Sequence, residues 1–155
     1  MKFNANFLLI LSLIIFQLGF SQSKPISKPE IRKKISDARQ ALSDLNCEKS
    51  LLLAEEALKE AHVLNDNELL AKSYNVIASN FVEFSDTNKA KDYFFKSLHH
   101  ANLADNDTIK DWVYNNLGAV YAYYENNFEK GIEYYKNLIE TGQRAKKPDH
   151  LKKKK

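Results

Sequence analysis

The chain repeats itself at a step of forty residues. Tyr74, Ile77, Ala78 and Phe81 recur as Tyr114, Leu117, Gly118 and Tyr121, and the same step carries Ala57 to Ser97, Leu58 to Leu98, Ala61 to Ala101, Asn75 to Asn115 and Phe84 to Tyr124. A fixed period of roughly 20 to 50 residues marks a stacked array, in which each unit buries its apolar face only against its neighbours. So many matches in one register are not coincidence, and they restrict the fold to a repeated unit spread over two helix-sized stretches.

Those stretches are helical by pattern. Between Pro29 and residue 143 there is no further proline, the glycines are Gly118, Gly131 and Gly142, and apolar residues return at spacings of three and four. Polar clusters able to cap a helix fall at Asn46, Asn65-Asp66-Asn67, Ser85-Asp86-Thr87-Asn88, Asp105-Asn106-Asp107 and Asn126-Asn127. They predict six helices, over 29–44, 47–64, 67–84, 87–104, 107–125 and 128–143. Ser27 and Glu30 around Pro29, and Asn65 with Glu68, read as capping boxes. Connections this short make successive helices antiparallel neighbours, so the expected fold is all-α: about three hairpins stacked in a right-handed superhelix.

Small residues stand where two helices must approach closely, at Ala78 and Gly118 in the first helix of a hairpin and at Ala90 and Gly131 in the second. Tyr74, Ile77, Phe81, Tyr93, Phe94, Leu98, Tyr114, Leu117, Tyr121, Ile132, Tyr135 and Leu138 are expected to fill the space between helices, which makes most of the aromatic content structural.

These residues resemble the tetratricopeptide repeat (TPR) family, whose pattern runs Leu-Gly-x-x-Tyr, then Ala-x-x-x-Phe/Tyr, then Ala. Tyr74, Ile77-Ala78-x-x-Phe81, Ala90, Phe94 and Ser97 carry one unit. Tyr114, Leu117-Gly118-x-x-Tyr121, Gly131, Tyr135 and Leu138 carry the next, with one extra residue expected in the turn around Asn126-Asn127. In the first unit Ser50, Ala54, Ala57 and Leu58 fit the second helix, whereas 29–44 lacks a Leu-Gly-x-x-Tyr equivalent. His62 and Asn102 replace the family's terminal proline, and the period exceeds the common 34 residues. The resemblance is therefore to the long-period variety typical of bacterial regulators and sensor kinases, and it implies a scaffold for protein or peptide partners.

The ends differ from the repeats. Lys2 precedes an apolar run from Phe7 to Phe20, shorter than the roughly 20 residues that span a bilayer, and Gly19-Phe20-Ser21 supplies a small-x-small cleavage site. Residues 1–21 are expected to be a secretory signal, 22–28 a linker, 29–143 the repeat domain and 144–155 a basic disordered tail. The expected localisation is thus periplasmic or secreted, with no membrane attachment once the signal is removed. Cys47 is the only cysteine, so no disulfide can form within the chain despite that compartment. A net charge of +3, part of it from the tail, does not suggest a nucleic-acid partner.

No enzyme is expected. His62, His99, His100 and His150 offer no pair at the i, i+4 ligand spacing, and His99 and His100 read as solvated. There is no phosphate-binding Gly-rich loop and no nucleophile elbow, so neither a metal nor a cofactor is implied. The candidate surface is the concave face lined by the first helix of each hairpin. Its positions are Lys72, Asn75, Ser79, Val82 and Glu83 in one unit and Trp112, Asn115, Asn116, Ala119, Ala122 and Tyr123 in the next. Asn75 and Asn115 can each exchange two hydrogen bonds with a peptide backbone, and Trp112 and Tyr123 offer apolar anchors; equally, the asparagines are ordinary soluble helix residues and Trp112 is packed. Family members that hold C-terminal carboxylates use several cations, and with Lys72 alone among these positions a neutral or mixed peptide is expected.

Two functions remain open. One is an exported binding module, able to pair with a second copy through its last hairpin. The other is the N-terminal sensory part of a TPR-containing histidine kinase or DNA-binding regulator.

Overall fold

A computed structural model describes residues 25–145. The expected signal segment, the start of the linker and residues 146–155 of the expected tail lie outside the described residues. Within them the chain is all-helical, with six helices packed against one another: α1 (Lys28–Ser43), α2 (Cys47–Val63), α3 (Asn67–Glu83), α4 (Thr87–Leu103), α5 (Asp107–Ala119) and α6 (Phe128–Ala145). A π-helical turn, Val120–Tyr124, continues α5.

The punctuation of these helices is as periodic as their packing residues. The side chains of Asn46, Asp66, Asp86 and Asn106 accept hydrogen bonds from the backbone N–H three residues on, at 3.0 to 3.2 Å, and so satisfy a donor that the helix start leaves orphaned. Just before each cap sits a residue with positive φ: Leu45, Asn65, Ser85 and Asp105, twenty residues apart in turn. This left-handed step closes the preceding helix, because the following N–H then reaches back to a carbonyl five residues earlier, as Asp86 N–H does to the Phe81 oxygen at 2.9 Å.

The fifth such step falls at Asn126, twenty-one residues after Asp105, with Asn127 capping α6 through Lys130 N–H at 3.1 Å. The extra residue is not in the Asn126-Asn127 turn, where the sequence suggests it. It is absorbed in the π turn, where Glu125 N–H bonds the Val120 carbonyl, five residues back, at 3.2 Å, and Asn127 N–H reaches six residues back to Tyr121 at 2.8 Å.

Neither expected capping box forms. Ser27 makes no side-chain cap bond, and its hydroxyl instead donates to the Glu30 carboxylate at 2.8 Å. Asn65 is the left-handed residue rather than a cap, and Glu68 turns to Lys72.

Each helix packs on the next, and in addition α1 touches α3 and α3 touches α5, so the odd-numbered helices lie side by side. Helix α3 sits at the centre: Leu69, Leu70, Val76 and Ile77 join one apolar cluster with α1 and α2, while Ala71 and Ala78 join a second with α4 and α5. The repeat reappears as geometry. Phe81 stacks on Tyr93 with centroids 5.4 Å apart and planes 5° from parallel, and Tyr121 stacks on Tyr134 at 5.4 Å and 4°. Tyr134, forty-one residues beyond Tyr93 as Tyr135 is beyond Phe94, is absent from the expected packing residues and is added to them by this stack. Ile132, which is expected to fill the interior, is instead 53% exposed.

The close approach expected at the small residues is present in the last hairpin. A Cβ on Gly118 would lie 2.7 Å from the Tyr135 ring, and one on Gly131 would lie 2.9 Å from the Ala122 Cβ. Ala78 and Ala90 are fully buried.

Candidate functional site

The side-by-side odd helices leave an open groove of about 710 Å³ between them. Helix α1 and its closing turn contribute Arg39, Leu42 and Leu45; α3 contributes Asn75, Ser79 and Glu83; α5 contributes Asp111, Trp112, Asn115 and Asn116. Of the residues expected on this surface, Asn75, Ser79, Glu83, Trp112, Asn115 and Asn116 are thus brought together. Lys72 lines an adjoining part of the groove, between α1 and Trp112, with Arg32, Ser36, Arg39 and Gln40. Val82 and Ala119 line a smaller recess beside Glu83.

Tyr123 does not line the groove and is 74% exposed. The residue it is expected to match, Glu83, corresponds to Tyr124 once the π turn has inserted its extra residue, and Tyr124 does share the recess with Glu83. Ala122 is buried and faces Gly131.

The asparagines meet in an unexpected pairing. Asn116 Nδ2 donates to Asn75 Oδ1 at 3.3 Å across α3 and α5, while Asn115, the residue that matches Asn75 in the repeat, is exposed on the groove wall. A forty-residue step identifies equivalent residues, and equivalent residues on neighbouring helices need not touch. The linked pair retains the Asn75 NH2 donors and the Asn116 carbonyl acceptor, the complement of one peptide unit of an extended chain. Ser79 is occupied locally, its hydroxyl donating to the Asn75 backbone carbonyl at 3.0 Å.

Glu83 and Asp111 bring acid to the groove, and most of its positive charge comes from a unit whose contribution the sequence reading misses. Arg39 lies forty residues before Ser79, but the first hairpin lacks the Leu-Gly-x-x-Tyr signature that would have extended the repeat to it. Its guanidinium stands 4.7 Å over the Trp112 ring, and among the described residues it has no carboxylate within ion-pair distance. Arg32 and Lys72 share Glu68, at 3.8 and 2.5 Å. Three cations therefore face one acid at this end of the groove.

At the far wall Asp111 is held above the usual carboxylate range, first by burial and then by the nearby Asp107, with Arg144 and Lys110 pulling the other way. Its Oδ1 is buried without a hydrogen-bond partner.

Among the described residues no histidine lines the groove. His100 is not simply solvated: it is half-buried, stacks on Tyr74 at 5.5 Å and 18°, and places Nδ1 2.9 Å from Asn67 Oδ1. Burial, then His99 and His62, lowers its pKa. Among the described residues no three His, Cys, Asp or Glu side chains are grouped as metal ligands, and no helix is long and apolar enough to cross a membrane. Comparison with family models, curated proteins and solved structures finds no match to this chain.

Proposed function

We propose that this chain is a non-catalytic, exported scaffold of the tetratricopeptide-repeat kind. In it α1–α2, α3–α4 and α5–α6 form three hairpins wound as a right-handed superhelix, and its groove holds an extended segment of another protein. The observation that carries this is the convergence of all three odd helices on one groove with a linked asparagine pair, an aromatic anchor and a cation lying on that anchor. Tryptophan and arginine are enriched among the few residues that carry most of the binding energy at protein interfaces. The seven-residue step from Arg32 to Arg39, with Lys72 beside them, narrows the neutral or mixed segment expected from Lys72 alone to one bearing at least one acidic side chain. Export is supported by the apolar run from Phe7 to Phe20 and its small-x-small end.

Trp112 is the only tryptophan, so its emission reports occupancy of the groove directly. Unstructured peptides of equal length, one set rich in Asp and Glu and the other in Lys and Arg, are titrated against the protein. The acidic set is expected to change Trp112 emission saturably and the basic set to leave it unmoved. Arg39→Glu should weaken the acidic set about tenfold, the loss of one charge-assisted contact. Emission that responds to neither set, or an affinity indifferent to Arg39→Glu, would refute the proposal.

A further inference from the structure

Helix α6 carries an apolar stripe that the described residues cover only at Tyr135, one side of whose ring lies against Gly118. Phe128, Ile132 and Ile139 are 61%, 53% and 58% exposed, and half-buried Tyr135 lies between them. Their steps of four, three and four residues are those of a coiled-coil seam, in which one helix offers its a and d positions to another. The same positions in α4, forty-one residues earlier, are Thr87, Lys91, Phe94 and Leu98. There Phe94 is fully buried in the cluster that α4 shares with α3 and α5, and Lys91 reaches Glu125 and the Tyr121 ring at the end of the next odd helix, so this is the face by which a helix of this array takes on a neighbour.

The charges beside the stripe select the neighbour. Glu129, Glu133 and Glu140 balance Lys130, Lys136 and Arg144, which leaves the helix no net attraction for an anionic lipid surface. On the open flank of the stripe stand Glu129 and Lys136, one heptad apart and opposite in sign. An antiparallel copy of the same helix brings each opposite its counterpart.

We infer that α6 joins two copies of this chain in an antiparallel, two-fold pair. Phe128 packs on Ile139 of the second copy, and Ile132 packs on Tyr135 of the second copy. Glu129 pairs with Lys136 of the second copy, and the two-fold axis repeats every contact. The stripe and the groove lie on different sides of α6, since Leu138, its groove-lining residue, is on the flank opposite Glu129 and Lys136. A pair formed this way presents two open grooves.

Sedimentation equilibrium of the purified protein tests this. Twice the single-chain mass is expected, and Ile132→Glu together with Ile139→Glu should return the single-chain mass with helicity unchanged, since both side chains are already exposed. Glu129→Lys or Lys136→Glu alone should weaken pairing about tenfold, by setting like charges against each other at both symmetric contacts. The double exchange Glu129→Lys/Lys136→Glu should restore it, which no merely structural role for either residue would do. A single-chain mass at every concentration would overturn the inference, as would pairing that ignores the isoleucine changes or is not restored by the double exchange. Binding of the single chain to phosphatidylglycerol vesicles through Phe128 and Ile132 would overturn it in favour of a lipid surface. Each of these outcomes is independent of whether Trp112 responds to a peptide.

Discussion

Gly118 and Gly131 hold α5 against α6 from the two sides of one contact, yet they are not interchangeable. The atoms nearest a methyl on Gly118 all belong to the Tyr135 ring, part of a half-buried side chain, whereas a methyl on Gly131 meets the Ala122 Cβ and, at 3.1 Å, the Gly118 carbonyl. Alanine also brings a helix-propensity gain of about 1 kcal/mol at either site. Gly118→Ala is therefore expected to be close to neutral, and Gly131→Ala to destabilise by about 1 to 2 kcal/mol, because packed backbone does not yield. Equal shifts of the two melting temperatures would contradict this difference. A second residue-scale prediction concerns Tyr134, whose phenol is pushed up to about 12, first by burial and then by Tyr121. Burial likewise raises Tyr74 and Tyr135. The folded chain keeps protons that the unfolded chain releases, so this stability is complete below the ordinary tyrosine value of 10.0 and is lost as pH climbs toward about 12. Urea unfolding across that range should show the decline, and Tyr134→Phe should flatten it. An undiminished decline in Tyr134→Phe would place its origin elsewhere.

At the scale of elements, the π turn is an insertion that the fold has absorbed without losing register. Phe81 and Tyr121 are forty residues apart, but the caps Asp86 and Asn127 are forty-one apart, and only residues after Tyr121 and before Glu125 can account for the difference. Tyr123 is the residue without a counterpart, since Tyr124 takes the place of Glu83. Its deletion should leave a regular α5 with the melting temperature lowered little or raised, while deletion of Lys91 from the second turn of α4 should abolish cooperative melting. Unfolding on removal of Tyr123 would show that the bulge is needed to place α6.

The helices themselves were readable in the sequence because their caps are written in Asn and Asp at fixed intervals. The location of the extra residue was not. A count of residues between motifs is the same whether the surplus sits in a turn or inside a helix, and the Asn126-Asn127 pair looks like a longer turn. That one ambiguity misassigned Tyr123 to the groove. Arg39 was missed for a different reason: α1 carries the periodic positions but not the signature residues, since its buried face is made of Ile31, Ile35, Ala38 and Ala41. The polar groove residues of α3 and α5 were legible because they fall between packing residues that repeat.

For the molecule as a whole, α3 links two apolar clusters into one interior and fixes α1 and α5 on either side of itself, so the groove walls are held by the same packing that holds the fold. A groove on paired rigid helices needs little reordering to receive an extended chain, which lowers the entropic cost of binding. The central claim is that this groove, and not the outer surface of α2 and α4, is where a partner segment lies. Amide chemical-shift mapping with a bound acidic peptide tests it most directly. Perturbations concentrated at Arg39, Asn75, Trp112 and Asn116 are expected; perturbations confined to α2 and α4, with those four residues unmoved, would contradict it.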